Sequence, residues 1–166
     1  MNAPNETDLR ESMQHVAFEF YHFELYGRLI QRWINGSMTY HSGLYQAVGY
    51  EFLIHFRALL DFFFAVGGQD DDLLLSDFCI LPSFAASFPA LGAPVWVKQV
   101  KRQLNKRLAH LTSPRWVEPA PSMNEYHQHF PEICALISSF KDALPPDMWH
   151  QIERFEAGWV QRDRDL

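Results

Sequence analysis

Cysteine is scarce in this 166-residue chain, which carries only Cys79 and Cys134. A multi-disulfide scaffold is therefore excluded. Both cysteines lie in apolar surroundings (Phe78-Cys79-Ile80 and Ile133-Cys134-Ala135), which points to buried free thiols in a reducing compartment. Glycine is also sparse, with eight residues against ten prolines and no period to either, so collagen-like and linker-dominated chains are excluded. No Gly-rich phosphate loop, Cys-x-x-Cys, His-Glu-x-x-His or Gly-x-Ser-x-Gly occurs, so the best-known nucleotide, redox, zinc and serine-hydrolase motifs are missing. The longest stretch without charge, Phe78 to Val97, is interrupted by Pro82, Pro89 and Pro94, a density that a membrane-spanning helix does not tolerate. The opening Met1-Asn2-Ala3-Pro4-Asn5-Glu6 is polar and acidic and reads as neither signal nor transit peptide. Positive charge is in short supply as well. Fourteen Lys and Arg against 20 Asp and Glu give a net charge of −6, which argues against wholesale coating of nucleic acid but not against a local basic patch. These absences predict a soluble cytoplasmic protein with no membrane contact.

What the chain has in quantity is apolar and aromatic material, 48% and 15% of residues, enough for one core in a single domain spanning 1–166. Its periodicity is helical throughout, and no segment sustains alternation of period two. Helix one is predicted from Thr7, as N-cap, to Ile34, with Val16, Phe20, Phe23, Gly27, Ile30 and Ile34 on one face and Asn35-Gly36 as the stop. Helix two runs from Thr39 to Val66 along Leu44, Val48, Phe52, His55 or Phe56, Leu59 and Phe63, and Gly67-Gly68 ends it. Asp70-Asp71-Asp72 opens a short helical turn, Leu73 to Phe78. A Pro-punctuated loop from Ile80 to Ala93 then brings Phe84, Phe88 and Leu91 against the bundle or a partner. Helix three spans Pro94 to Leu111. Helix four opens at Ser122 with a capping box to Glu125, and Pro131 kinks it or marks a restart. Helix five follows Pro145-Pro146-Asp147 with Met148, Ile152, Phe155 and Trp159 on one face. The expected fold is all-α, a bundle of four long helices plus a C-terminal helix.

Helix three holds the sharpest compositional event. Lys98, Lys101, Arg102, Lys106, Arg107 and Arg115 fall within 18 residues that contain no Asp or Glu. At 100° per residue Val97, Val100, Leu104, Leu108 and Leu111 form a buried stripe, while Lys98, Arg102, Lys106 and His110 form a second stripe roughly opposite. Like charges one turn apart cost helix stability. Either the stripe is simply a solvated face, or it meets an anionic partner, for which phosphate is the commonest candidate.

The segment Leu104-Asn105-Lys106-Arg107-Leu108-Ala109-His110 resembles the Arg-Asn-Lys-x-x-Ala-His signature of abortive-infection-type members of the HEPN superfamily (higher eukaryotes and prokaryotes nucleotide-binding). Asn105, Lys106, Ala109 and His110 match it, and Leu104 stands where that version has Arg. The resemblance implies a HEPN-like helical domain, a homodimer in which the motifs of two protomers meet, and metal-independent cleavage of RNA. In that chemistry His110 would move protons as the ribose 2′-hydroxyl attacks the adjacent phosphate. A cation would hold the charge developing on the phosphoryl oxygens. Leu104 cannot supply that cation. Either Arg107, one turn before His110, or Arg102 takes its place, or the chain is a degenerate member that binds RNA, a nucleotide or a partner protein without cutting. The catalytic candidates are therefore His110 and Arg107, and the phosphate-binding candidates are Asn105, Lys106, Arg102 and Lys98. A structural or interaction protein of a dimeric helical assembly is the alternative, and a dimer would cover Trp33, Trp96 and Trp116 if they are exposed.

Two further groups stand out. Arg57 lies in an apolar helix with Asp61 four residues on, which reads as a buried structural pair. His15, Glu19 and His22 flank the apolar stripe of helix one. Glu19 and His22 form one Glu-x-x-His unit, but a carboxylate-bridged metal pair needs two, so interhelical polar contacts are expected there and no metal or cofactor.

Overall fold

Asn5, not Thr7, starts the first helix in the computed structural model of the chain, which describes residues 4–38, 42–65, 73–88, 92–109 and 122–164. The Asn5 carboxamide oxygen accepts the N–H groups of Thr7 and Asp8 at 2.8 and 3.1 Å, and the Asp8 carboxylate accepts the Asn5 N–H at 2.9 Å. This reciprocal box satisfies three orphan donors and places two acids, Glu6 and Asp8, in the first turn. α1 then runs Glu6–Ile34 and closes on Asn35 and Gly36, whose φ of 69° is the left-handed conformation that glycine adopts without strain.

α2 spans Ser42–Phe64 and packs along α1. A 3-10 helix, Leu75–Ile80, replaces the expected turn at Leu73 to Phe78. Its three-residue period turns Leu75, Phe78 and then Leu81 inward. The same period leaves Cys79 outside, so the expectation that both thiols are buried fails there, while Cys134 is half-buried. The predicted loop from Ile80 to Ala93 contains a helix, α3, Pro82–Ser87, with Pro82 in its first turn where no N–H is required. Phe84 and Phe88 bring α3 onto the bundle, against Phe140 and Phe78.

α4 covers Val95–Ala109, and the expected end at Leu111 lies outside the described residues. The predicted helix four is two helices, α5 Met123–His127 and α6 Phe130–Ala143. Pro131 has no N–H to donate back to His127, so the restart occurs just before it. α7 spans Pro146–Arg164 and returns along α1. All regular structure among the described residues is helical. No helix among them is long and apolar enough to cross a membrane.

α1 and α2 are the hub: α7, α5 and α6 pack on α1, and α4 packs on α2. The Phe140 ring is fully buried and meets the edges or faces of Phe20, Phe62, Phe78 and Phe84 at centroid separations of 5.0 to 5.5 Å. Such edge-to-face pairs add about 0.5–1.5 kcal/mol each beyond the apolar area they bury. Where α1 crosses α5 and α6, Gly27 is buried, and a Cβ there would lie 2.1 Å from the Phe130 ring. The buried His127 Nε2–H donates to the Gly27 carbonyl at 2.9 Å, and burial pushes the His127 pKa down, which keeps the ring a neutral donor. Trp33 is buried against Tyr45 and Trp96 is half-buried on His129, so neither needs a partner copy to cover it, and Trp116 lies outside the described residues.

Candidate functional site

The apolar stripe of α4 faces α2 as its spacing dictates. Val97, Val100 and Leu104 are buried and Leu108 is half-buried. Lys98 and Arg102 are exposed, one turn apart. Lys101 breaks the pattern. It follows Val100 on the inner side and is buried, and its ammonium pairs with the Asp61 carboxylate of α2. Burial and the nearby Arg57 guanidinium hold the Lys101 pKa below its ordinary value. Asn105 is half-buried, and its Oδ1 has no hydrogen-bond partner among the described residues. Lys106 and Arg107 belong to the last turns of α4, but their side chains, and His110 altogether, lie outside the described residues.

The sequence pairing of Arg57 with Asp61 is corrected. Asp61 is taken by Lys101 from α4, a partner 40 residues away that no local spacing reveals. Arg57 forms no ion pair among the described residues. It is half-buried and lines a cleft of about 700 Å³ between α1 and α2, together with His15, Glu19, Asp61 and apolar side chains that include Phe20 and Leu108.

Glu19 makes the interhelical polar contact expected beside the apolar stripe of α1, whereas His22 hydrogen-bonds within its own helix and His15 lines the cleft. His55 is buried, and its Nδ1–H donates to the Glu19 carboxylate at 2.7 Å, while Glu51 stands 4.0 Å from Nε2. The His22 ring stacks on His55 at 5.2 Å, and its Nδ1–H donates to the Phe18 carbonyl at 2.9 Å. Among the described residues no three His, Cys, Asp or Glu side chains converge as a metal site. The Glu19–His55 pair was missed in the sequence because His55 shares its helix face with the apolar stripe. The one signal for it was a carboxylate flanking the stripe on α1.

Comparison with protein-family models, with curated proteins and with solved structures gives no match. The chemistry of the site is therefore the ground for a functional reading. It offers two cationic features, the exposed edge of α4 and Arg57 in the cleft, which has no ion pair among the described residues. The two carboxylates lining that cleft are both engaged, Glu19 by His55 and Asp61 by Lys101.

Proposed function

We propose that the protein binds RNA or nucleotide phosphate along the basic edge of α4, as a HEPN-like bundle of four long helices plus a fifth, working as a cytoplasmic homodimer. The observation that carries this reading is the state of the α4 cations. Lys101 is neutralised from within by Asp61, whereas Lys98 and Arg102 stand exposed with no acid anywhere in Val95–Ala109 and no ion pair among the described residues. Two like charges at i and i+4 destabilise a helix by a few tenths of a kcal/mol, and a phosphate between them reverses the sign.

Leu104 is fully buried, so the position that carries Arg in the resembling signature belongs to the core here. That favours a protein that binds first, with any cleavage depending on Arg107 as the phosphate clamp and His110 as the proton-transfer group. Asn105 and Lys106 assist on the same helix. Fluorescence anisotropy with a single-stranded RNA oligonucleotide, at about 50 and about 200 mM salt, tests the reading. The double variant Lys98→Glu, Arg102→Glu is expected to weaken binding at least tenfold and to flatten the salt slope by roughly 1.4, two phosphates' worth for a single strand. Unchanged affinity overturns it. His110→Ala is expected to abolish metal-independent cleavage while leaving the fold and RNA binding intact, and cleavage that persists in that variant rejects the catalytic assignment.

A second reading, an interaction protein of a helical assembly, is favoured by one observation. Phe18 on α1 and Tyr50 and Ile54 on α2 are 41%, 46% and 47% exposed. Its signature is an oligomer that survives the α4 charge reversal, with no RNA bound by either form.

A further inference from the structure

The cleft between α1 and α2 is a separate feature from the exposed edge of α4. Its volume, about 700 Å³, falls within the range of small-molecule sites. Its walls are mainly apolar, from Val16 and Phe20 of α1, Ala58 and Phe62 of α2, and Leu108 of α4. Charge enters at Glu19, Arg57 and Asp61. Glu19 is committed to His55 and Asp61 to Lys101, so Arg57 is the charged group of this lining with no partner among the described residues. A guanidinium half out of water without a counter-ion favours a ligand that brings one, and its planar fork suits a phosphate. The apolar walls suit a flat ring.

We propose that this cleft binds a nucleoside monophosphate unit, free or as one nucleotide of an RNA, with its phosphate held by Arg57 and its base against the apolar walls. The choice of phosphate over other anions rests on the reading of the α4 edge given above. The site itself rests on Arg57 and the cleft. Glu19 and Asp61, each fixed by its own partner, bound the charged side of the site and disfavour ligands with several negative charges placed toward them. A nucleoside triphosphate is accordingly a poorer fit than a monophosphate.

The test is isothermal titration of the full chain with the four 5′-ribonucleoside monophosphates, one triphosphate and inorganic phosphate. At least one monophosphate is expected to bind, and inorganic phosphate to bind at least tenfold more weakly because it leaves the apolar walls wet. Arg57→Gln should reduce monophosphate affinity at least tenfold, and Arg57→Lys, which keeps the charge but loses the fork, should fall between. Ala58→Trp, which fills the cleft without altering its charge, should abolish binding even where Arg57→Gln proves unstable. Binding of no monophosphate overturns the proposal, as does equal binding to the Arg57→Gln or Ala58→Trp protein. Lys98→Glu, Arg102→Glu separates the two ideas. Monophosphate binding that survives it while RNA binding is lost supports both. RNA binding that survives it overturns the α4 reading and leaves the cleft to be judged on its own variants.

Discussion

Asp61→Asn probes the contact that decides where the charges of α4 go. The Lys101 side chain is 8% exposed and that of Asp61 18%, so removing the carboxylate strands a buried ammonium against a neutral amide. Breaking a buried pair from one side costs about 3–5 kcal/mol, and the flexible lysine stem and the open cleft beside Asp61 put this case at the lower end, about 3 kcal/mol. For a chain of this size that is a fall in Tm of about 6–12 °C. Lys101→Met removes the other partner and should cost about 1 kcal/mol or less, because Asp61 stays near the water of the cleft. The double variant should then resemble Lys101→Met rather than the sum of the two single variants, a coupling of about 3 kcal/mol. The pH dependence gives an independent check. Lys101 already titrates below its ordinary value in the folded chain through burial and Arg57, and loss of Asp61 lowers it further, while the unfolded value stays near 10.4. Between the folded and unfolded values the unfolded chain binds more protons, so stability rises with pH there and the deficit of Asp61→Asn must shrink from pH 7 towards pH 10. Urea unfolding of the four proteins at both ends of that range measures it. A deficit below about 1 kcal/mol at pH 7, or one that does not change with pH, would refute the reasoning.

Three further outcomes follow from the packing. Gly27→Ala, which at an unconstrained helical site would stabilise, should instead cost about 1–3 kcal/mol in chemical denaturation because its Cβ meets the Phe130 ring, itself held by Phe23 and His127; a neutral or stabilising effect contradicts the close approach. His127, which is buried, and His129, which is half-buried, both titrate below their ordinary value through lost solvation, so the stability they support is complete above about pH 6.5 and lost as pH falls below it. His127→Gln, which keeps a donor for the Gly27 carbonyl, should show a shallower loss of Tm between about pH 7 and pH 5.5, and an unchanged slope counts against the assignment. Cys79 is exposed whereas Cys134 is half-buried with its thiol pushed up to about 12 by burial, so mass spectrometry after brief iodoacetamide treatment of the native protein should find Cys79 alkylated first; the reverse order contradicts this.

What the sequence made legible was periodicity. The stripes of α1, α4 and α7 are visible because each helix turns one face inward, and Val97, Val100 and Leu104 are buried as their spacing requires. Helix ends were less legible. Asn5 and Thr7 are both good caps, and only the reciprocal bond with Asp8 chooses between them. The 3-10 helix begins two residues later than the acids Asp70-Asp71-Asp72 suggest, and its period of three leaves Cys79 outside, which its apolar neighbours Phe78 and Ile80 do not reveal. Side-chain partners were the least legible. Asp61 had one cation four residues away in the sequence and another 40 residues away, and the distant one takes it.

That exchange of partners shapes the candidate site more than the motif does. Had Arg57 held Asp61, the cleft would contain a neutral pair, and Lys101 would have had to reach solvent beside Lys98 and Arg102. With Asp61 drawn to Lys101, the inner side of α4 becomes neutral and anchored to α2, its outer edge keeps Lys98 and Arg102, and Arg57 is left without a carboxylate among the described residues. One half-buried carboxylate thus separates the positive charge of this net-acidic chain into an outer edge suited to a polyanion and an inner position suited to a single phosphate. The two can be removed independently, and their responses to the same ligands must differ if the separation is real.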